Sequence, residues 1–103
     1  MVNRPIRIFR ANSIALAETA VAVVPVGKTW ILTYIHMAST ATGTPVNVNI
    51  RVEGATVIRE HPIEPRGLLV IETKLVIPEG GTVTVWGSIS NCAIHLSGVE
   101  MNA

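Results

Sequence analysis

The stretch KLVIPEGGTVTVWGSISNCAIHLSGVE, residues 74–100, constrains the fold most, because apolar and polar side chains alternate in it around two groups of turn-forming residues. Alternation at a period of two sends successive side chains to opposite faces of a strand, so this stretch predicts three strands and two turns. Pro78-Glu79-Gly80-Gly81 supplies the first turn, since proline presets φ and a glycine tolerates the left-handed position that follows. Val83 and Val85 then oppose Thr82, Thr84 and Trp86. After a break over residues 87–91, Cys92, Ile94 and Leu96 face inward while Ala93, His95 and Ser97 face outward, and Gly98 is read as a bulge that resets the face for Val99 and Met101. The polar positions are mostly Thr, Ser and Asn, which suit a solvated sheet face rather than a catalytic centre.

A chain of 103 residues is long enough for one modest core and too short for two. Fourteen valines, twelve isoleucines and ten threonines make up about a third of it, and β-branched side chains fit a pleated surface better than a helix. The hydrophobic share of 49% and mean hydropathy of +0.46 are high for so small a soluble unit, which implies that apolar surface meets another subunit. Eight Lys and Arg against seven glutamates give a net charge of +1, which points to neither nucleic acid nor anionic membrane as a partner. Cys92 is the only cysteine, so no intrachain disulfide forms and the expected role is a small buried residue.

Residues 1–26 have the superficial outline of a signal peptide, with Arg4, Arg7 and Arg10 ahead of an apolar run. Glu18 interrupts that run, Pro25 closes it, and Ile6, Arg7 and Ile8 alternate as in a strand, so the segment is read as part of the fold. No apolar run approaches the roughly 18 to 20 residues of a membrane-spanning helix, and a soluble chain is expected.

Further strands follow from the same pattern. Residues 5–10 form a first short strand with Ile6 and Ile8 on one face and Arg7 and Phe9 on the other. Residues 11–19 fit a helical turn and an extended link equally. Residues 20–24 read as a strand, ended by Pro25-Val26-Gly27-Lys28. Residues 30–37 form a long strand that places Trp30, Leu32, Tyr34 and His36 on one face and Ile31, Thr33, Ile35 and Met37 on the other. After a loop of small residues, Val46, Val48, Ile50 and Val52 alternate with Asn47, Asn49 and Arg51, the clearest half-buried strand present. Glu53-Gly54 joins it to residues 55–58 by a tight hairpin. Residues 59–67, with Pro62 and Pro65, read as a loop crossing between sheets, and residues 68–77 as one long or one bent strand. Seven or eight short strands at close turn intervals predict an all-β antiparallel sandwich or barrel.

Candidate chemistry is sparse. Gly27-Lys28-Thr29 resembles the end of a phosphate loop, but Ala22 stands where the first glycine is required and a strand follows instead of a helix. His36, His61, His95 and Cys92 are the conventional nitrogen and sulfur metal ligands, and their spacing matches no compact zinc pattern. The odd separation of Cys92 and His95 sends them to opposite faces of a strand. Glu60, His61 and Glu64 read as a polar loop rather than an acid-base cluster. Cys92 and His95 share no face, and Ser88 and Ser90 lie in a turn, so no nucleophilic triad is indicated. No catalytic residue, cofactor site or metal site is therefore expected. Trp30, Tyr34 and Trp86 have the chemistry to line a sugar-binding surface, while core or subunit-contact roles are commoner for such residues.

Residues 24–40, VPVGKTWILTYIHMAST, and residues 75–100, LVIPEGGTVTVWGSISNCAIHLSGVE, together resemble the small β-sandwich domains of tailed-bacteriophage virion proteins. Those domains similarly pair an early Val-Pro-x-Gly-Lys turn and long strand with a late Pro-x-Gly turn and a final strand ending in Ser-Gly-Val-Glu. The resemblance implies a jelly-roll-like sandwich over residues 12–103 preceded by an N-terminal arm, residues 1–11, that contacts a capsid. It further implies a non-enzymatic head decoration, or cement, protein, homo-oligomeric as a trimer or other symmetric assembly. The expected partner is the major capsid protein or another virion protein, and the expected location the capsid surface, with host cytoplasm before assembly. A receptor- or carbohydrate-binding module of a head or tail fibre is the alternative. Cupin-like barrels share the Val-Pro-x-Gly-Lys and Pro-Glu-Gly-Gly turns, but their His-x-His metal motif is missing, so that likeness extends to architecture alone.

Overall fold

A computed structural model describes residues 3–102 of the chain. Eight strands form the fold: β1 (Arg4–Ala11), β2 (Thr19–Val23), β3 (Lys28–Ser39), β4 (Val46–Val52), β5 (Ala55–Ile63), β6 (Leu68–Ile77), β7 (Thr82–Gly87) and β8 (Cys92–Asn102). They build two four-stranded antiparallel sheets, sheet A in the order β1-β8-β3-β6 and sheet B in the order β2-β7-β4-β5. The pairs β1·β8, β2·β7, β3·β6 and β4·β5 are those obtained by rolling up one long hairpin whose tip is the β4–β5 turn. That is the jelly-roll arrangement, as the sequence leads one to expect. Every other connection crosses from one sheet to the other.

The tip is set locally. Glu53 and Gly54 both have positive φ, 51° and 78°, the combination that lets a two-residue hairpin turn follow the right-handed twist of its strands. The two Pro-x-Gly signals lie side by side at one end. Lys28 N–H donates to the Pro25 carbonyl and Gly81 N–H to the Pro78 carbonyl, while Gly27 N–H donates across to Glu79 Oε1 at 2.6 Å. Val24 and Gly80 complete the join through backbone hydrogen bonds, so residues about fifty positions apart close one corner of the sandwich.

The interior is filled from both sheets. Leu32, Ile35, Met37, Ile94 and Leu96 from sheet A meet Val46, Val48, Ile50, Val83 and Val85 from sheet B, each at most 2% exposed. Fully burying a side chain of this size stabilises by roughly 1.5 to 3 kcal/mol, so these rows hold the sheets together. Cys92 is also buried here, and burial pushes its thiol pKa up to about 11. The group stays protonated near neutrality and acts as a small apolar side chain.

The structure corrects several sequence expectations, and in β1 and β3 the reason is a register shift that strict alternation cannot anticipate. β3 shifts between Leu32 and Tyr34, so Trp30 and Leu32 face inward together with Ile35 and Met37, while Tyr34 and His36 face outward. β1 shifts between Arg7 and Phe9, which turns Phe9 toward the core beside Ile8. β8 keeps strict alternation through Gly98, so Val99 and Met101 face outward and Glu100 inward. The bulges sit in its two neighbours, and glycine is needed at 98 because a Cβ there would lie 2.1 Å from the Ile31 carbonyl oxygen. Residues 4–11 form the first strand, as the alternation of residues 5–10 leads one to expect, and are paired along their length with β8 as the edge of sheet A. Residues 12–18 link β1 to β2 through bends, without a helical turn. β5 continues to Ile63, with Pro62 tolerated because β5 is an edge strand, and the crossing to β6 is made by residues 64–67 alone.

Candidate functional site

Sheet A presents an outer face with three kinds of row. Pro5, Val99, Ile31 and Val76 stand opposite one another across all four strands, an entirely apolar row on a surface that faces away from the core. Arg7, Ser97, Tyr34 and Glu72 form the next, and Arg10, His95, His36 and Val70 the one after. Beyond these lie Ala93, Ala38 and Leu68. Val76, Val70 and Leu68 are 62%, 42% and 60% exposed, so β6, an edge strand of ten residues, carries solvent-facing apolar side chains toward both ends with exposed Glu72 and Lys74 between them. The Tyr34 and His36 rings stack with centroids 6.4 Å apart and planes 19° from parallel.

Sheet B presents a different outer face. Thr82, Thr84 and Asn49 surround Arg51 and Trp86, with the Arg51 guanidinium 5.5 Å from the Trp86 ring centroid and its Nη1 3.3 Å from the Glu18 carboxylate. Asn49 is buried, and its Oδ1 accepts from Glu60 N–H at 2.8 Å. Glu60 has φ of 44° and lies at one of two register shifts in β5. A shallow hollow of about 370 Å³ opens here between Trp86, Arg59 and Thr56.

Inside one end of sheet A sits the buried carboxylate of Glu100. Trp30 Nε1–H donates to its Oε2 at 2.9 Å, and the Arg4 guanidinium holds Oε1. The Trp30 hydrogen bond, followed by the Arg4 hydrogen bond and the charges of Arg4 and Lys28, lowers the Glu100 pKa against an opposing effect of burial. Reading Gly98 as a bulge turns Val99 and Met101 inward and leaves Glu100 outside, so the sequence carried no hint of this group.

The sequence-derived candidates disperse. Trp30 is 8% exposed and points into the core, Tyr34 lies on the outside of sheet A and Trp86 on the outside of sheet B, so the three aromatics share no sugar-binding surface. His61 lies on β5 at the edge of sheet B, away from the other two histidines. Cys92 and His95 do face opposite sides of β8. Among the described residues no group of three His, Cys, Asp or Glu side chains converges on one point. Glu60, His61 and Glu64 are all exposed. The pair that spacing alone did not reveal is His36 with His95, brought opposite each other on the central strands of sheet A.

No protein-family model matches the chain, and no curated protein matches it. Among solved structures, the chain is similar to a crystal structure of a pentameric capsid protein isolated from metagenomic phage sequences, at a TM-score of 0.40 and 14% identity. The alignment covers 96% of this chain and 61% of that one, so the chain spans about three fifths of the length of that protein.

Proposed function

We infer that this chain is a non-enzymatic virion structural protein that decorates a phage head, assembling with copies of itself and binding the shell through the outer face of sheet A. The observation that carries the reading is the apolar row Pro5, Val99, Ile31 and Val76 across all four strands, with Val70 and Leu68 exposed further along β6 beyond Glu72 and Lys74. An outward sheet face of this composition is unfavourable in water and becomes favourable when a partner covers it. The β6 edge adds unpaired backbone donors and acceptors beside that face. Arg7 and Arg10 at the β1 edge add positive charge for docking without closing the face. The resemblance of residues 24–40 and 75–100 to virion sandwich domains supports the phage context. In this reading β1, rather than a free arm, is the N-terminal contact element, and burial at the interface stabilises the shell because only the folded, assembled state binds.

The test combines solution mass with co-sedimentation on purified phage heads lacking the chain. Wild-type chain is expected to sediment as a trimer or other closed ring and to pellet with heads. Ile31→Lys should abolish both while leaving the circular dichroism spectrum unchanged, and Thr84→Lys on sheet B should alter neither. A wild-type monomer that stays in the supernatant would overturn the reading.

A further inference from the structure

We propose that His36 and His95 form a bidentate site for a late first-row divalent metal ion, of the class Ni²⁺, Cu²⁺ or Zn²⁺, on the outer face of sheet A. The site rests on its own geometry, and in the proposed assembly it lies on the face that meets a partner, two rows from Ile31 and Val99. His36 on β3 and His95 on β8 are direct cross-strand partners in the antiparallel ladder, and both face outward. Side chains in that relation have Cβ atoms roughly 4.5 to 5.5 Å apart, which lets two imidazoles converge on one ion at the usual metal–nitrogen distance of about 2.0 to 2.1 Å.

Three features of this chain favour such a chelate. The register shift between Leu32 and Tyr34 is what places His36 outside, because uninterrupted alternation from the buried Leu32 would send residue 36 into the core. Bulges that re-aim a side chain in this way are concentrated at functional positions. β3 and β8 are the two central strands of sheet A, each held by neighbours on both sides, so the ligand backbones are fixed. Tyr34 stacks on the His36 ring and restricts its rotation, which reduces the ordering cost of binding.

The donor set also defines selectivity. Two imidazoles with no converging carboxylate suit borderline transition metals and not Mg²⁺ or Ca²⁺, which take oxygen ligands. Water or a donor from another molecule completes the coordination. Arg10, directly across from His95 on β1, opposes a cation, so the site is tuned below the affinity that two histidines alone would reach.

The experiment is calorimetric titration of the tag-free, chelator-treated chain with NiCl₂ in a non-coordinating buffer. One Ni²⁺ per chain is expected. His36→Ala and His95→Ala should each weaken binding at least tenfold, and the double variant by less than the product of the two single losses, since the chelate is lost with its first ligand. His61→Ala should leave binding unchanged, and Arg10→Ala should tighten it by roughly threefold, as expected for removing a solvent-screened unit charge nearby. Retention of the thermal transition in each variant separates ligand loss from unfolding. Wild-type affinity no greater than that of either single variant, additive losses in the double variant, or full competition by MgCl₂ would overturn the proposal.

Discussion

Sheet A and sheet B contribute alike to the interior and differ on the outside. Each supplies rows of Ile, Leu and Val at most 2% exposed, whereas outside sheet A carries the continuous apolar row Pro5, Val99, Ile31 and Val76, and sheet B shows Thr82, Thr84 and Arg51 on its central strands with its exposed valines, Val23 and Val57, kept to the edge strands β2 and β5. The edges differ in the same sense. Sheet B is bounded by the five-residue β2 and by β5, which is interrupted by Pro62 and two register shifts, devices that discourage another strand from pairing. Sheet A is bounded on one side by ten-residue β6 with its exposed Leu68, Val70 and Val76. Since both sheets serve the same core, stability of the monomer does not require the asymmetry. It is understandable as preparation of one sheet for a partner and of the other for water.

The sharpest test of the shared half of that comparison lies in the core. Ile35 in sheet A and Ile50 in sheet B are both fully buried, near the middle of their sheets. Ile35→Ala and Ile50→Ala are each expected to cost about 2 to 5 kcal/mol in chemical denaturation, through lost transfer energy and the cavity left behind. Similar losses fit two sheets that share one core. A loss below about 1 kcal/mol at either site would break the comparison, because that sheet would then be dispensable to the interior.

The strand content and the two Pro-x-Gly turns were legible in the sequence, since alternation and turn chemistry are local. Val46, Val48, Ile50 and Val52 point inward as their pattern says. Face assignments failed where a strand shifts register: Phe9, Ile35 and Met37 all end on the face opposite to the one alternation assigns relative to Ile8 or Leu32. Such shifts are set by how three strands twist against one another, and no window of a single strand contains that information. The same limit hid two long-range pairings. The Glu100 interaction with Trp30 joins residues 70 positions apart, and the His36–His95 pair depends on both the register of β3 with β8 and the shift that precedes it. Pro62 misled in another way, because a proline that excludes a central strand is acceptable at an edge, and strand order is a property of the whole topology.

Acid titration sharpens what is particular to sheet A. The Glu100 pKa is lower in the folded chain than its ordinary value of 4.5, first through the Trp30 hydrogen bond and then through Arg4. The unfolded chain therefore binds the proton more readily, and stability from this group rises with pH. It is complete above the ordinary carboxylate range and is lost as pH falls through 4.5 toward the lower folded value. Glu100→Gln keeps the shape and an acceptor for Trp30 Nε1–H but removes the charge and the titration. The variant should be less stable than wild type at pH 7, and the two curves of denaturation midpoint against pH should converge in acid. A constant gap between them across the acid range would show that Glu100 acts by packing alone.

The smallest effect is expected on sheet B, where Arg51 makes the most elaborate polar contacts of the outer face. Its cation–π approach to Trp86 and its ion pair with Glu18 are each worth about 0.5 to 1 kcal/mol or less at a site this open to solvent. Against them stands a buried Nε with no hydrogen-bond partner, which costs free energy that truncation would recover. Arg51→Ala should therefore lower stability by no more than about 1 kcal/mol and leave the sedimenting mass unchanged. If the mass falls while the chain stays folded, sheet B carries an interface of its own, and the division between a partnered sheet and a solvated one fails at that residue.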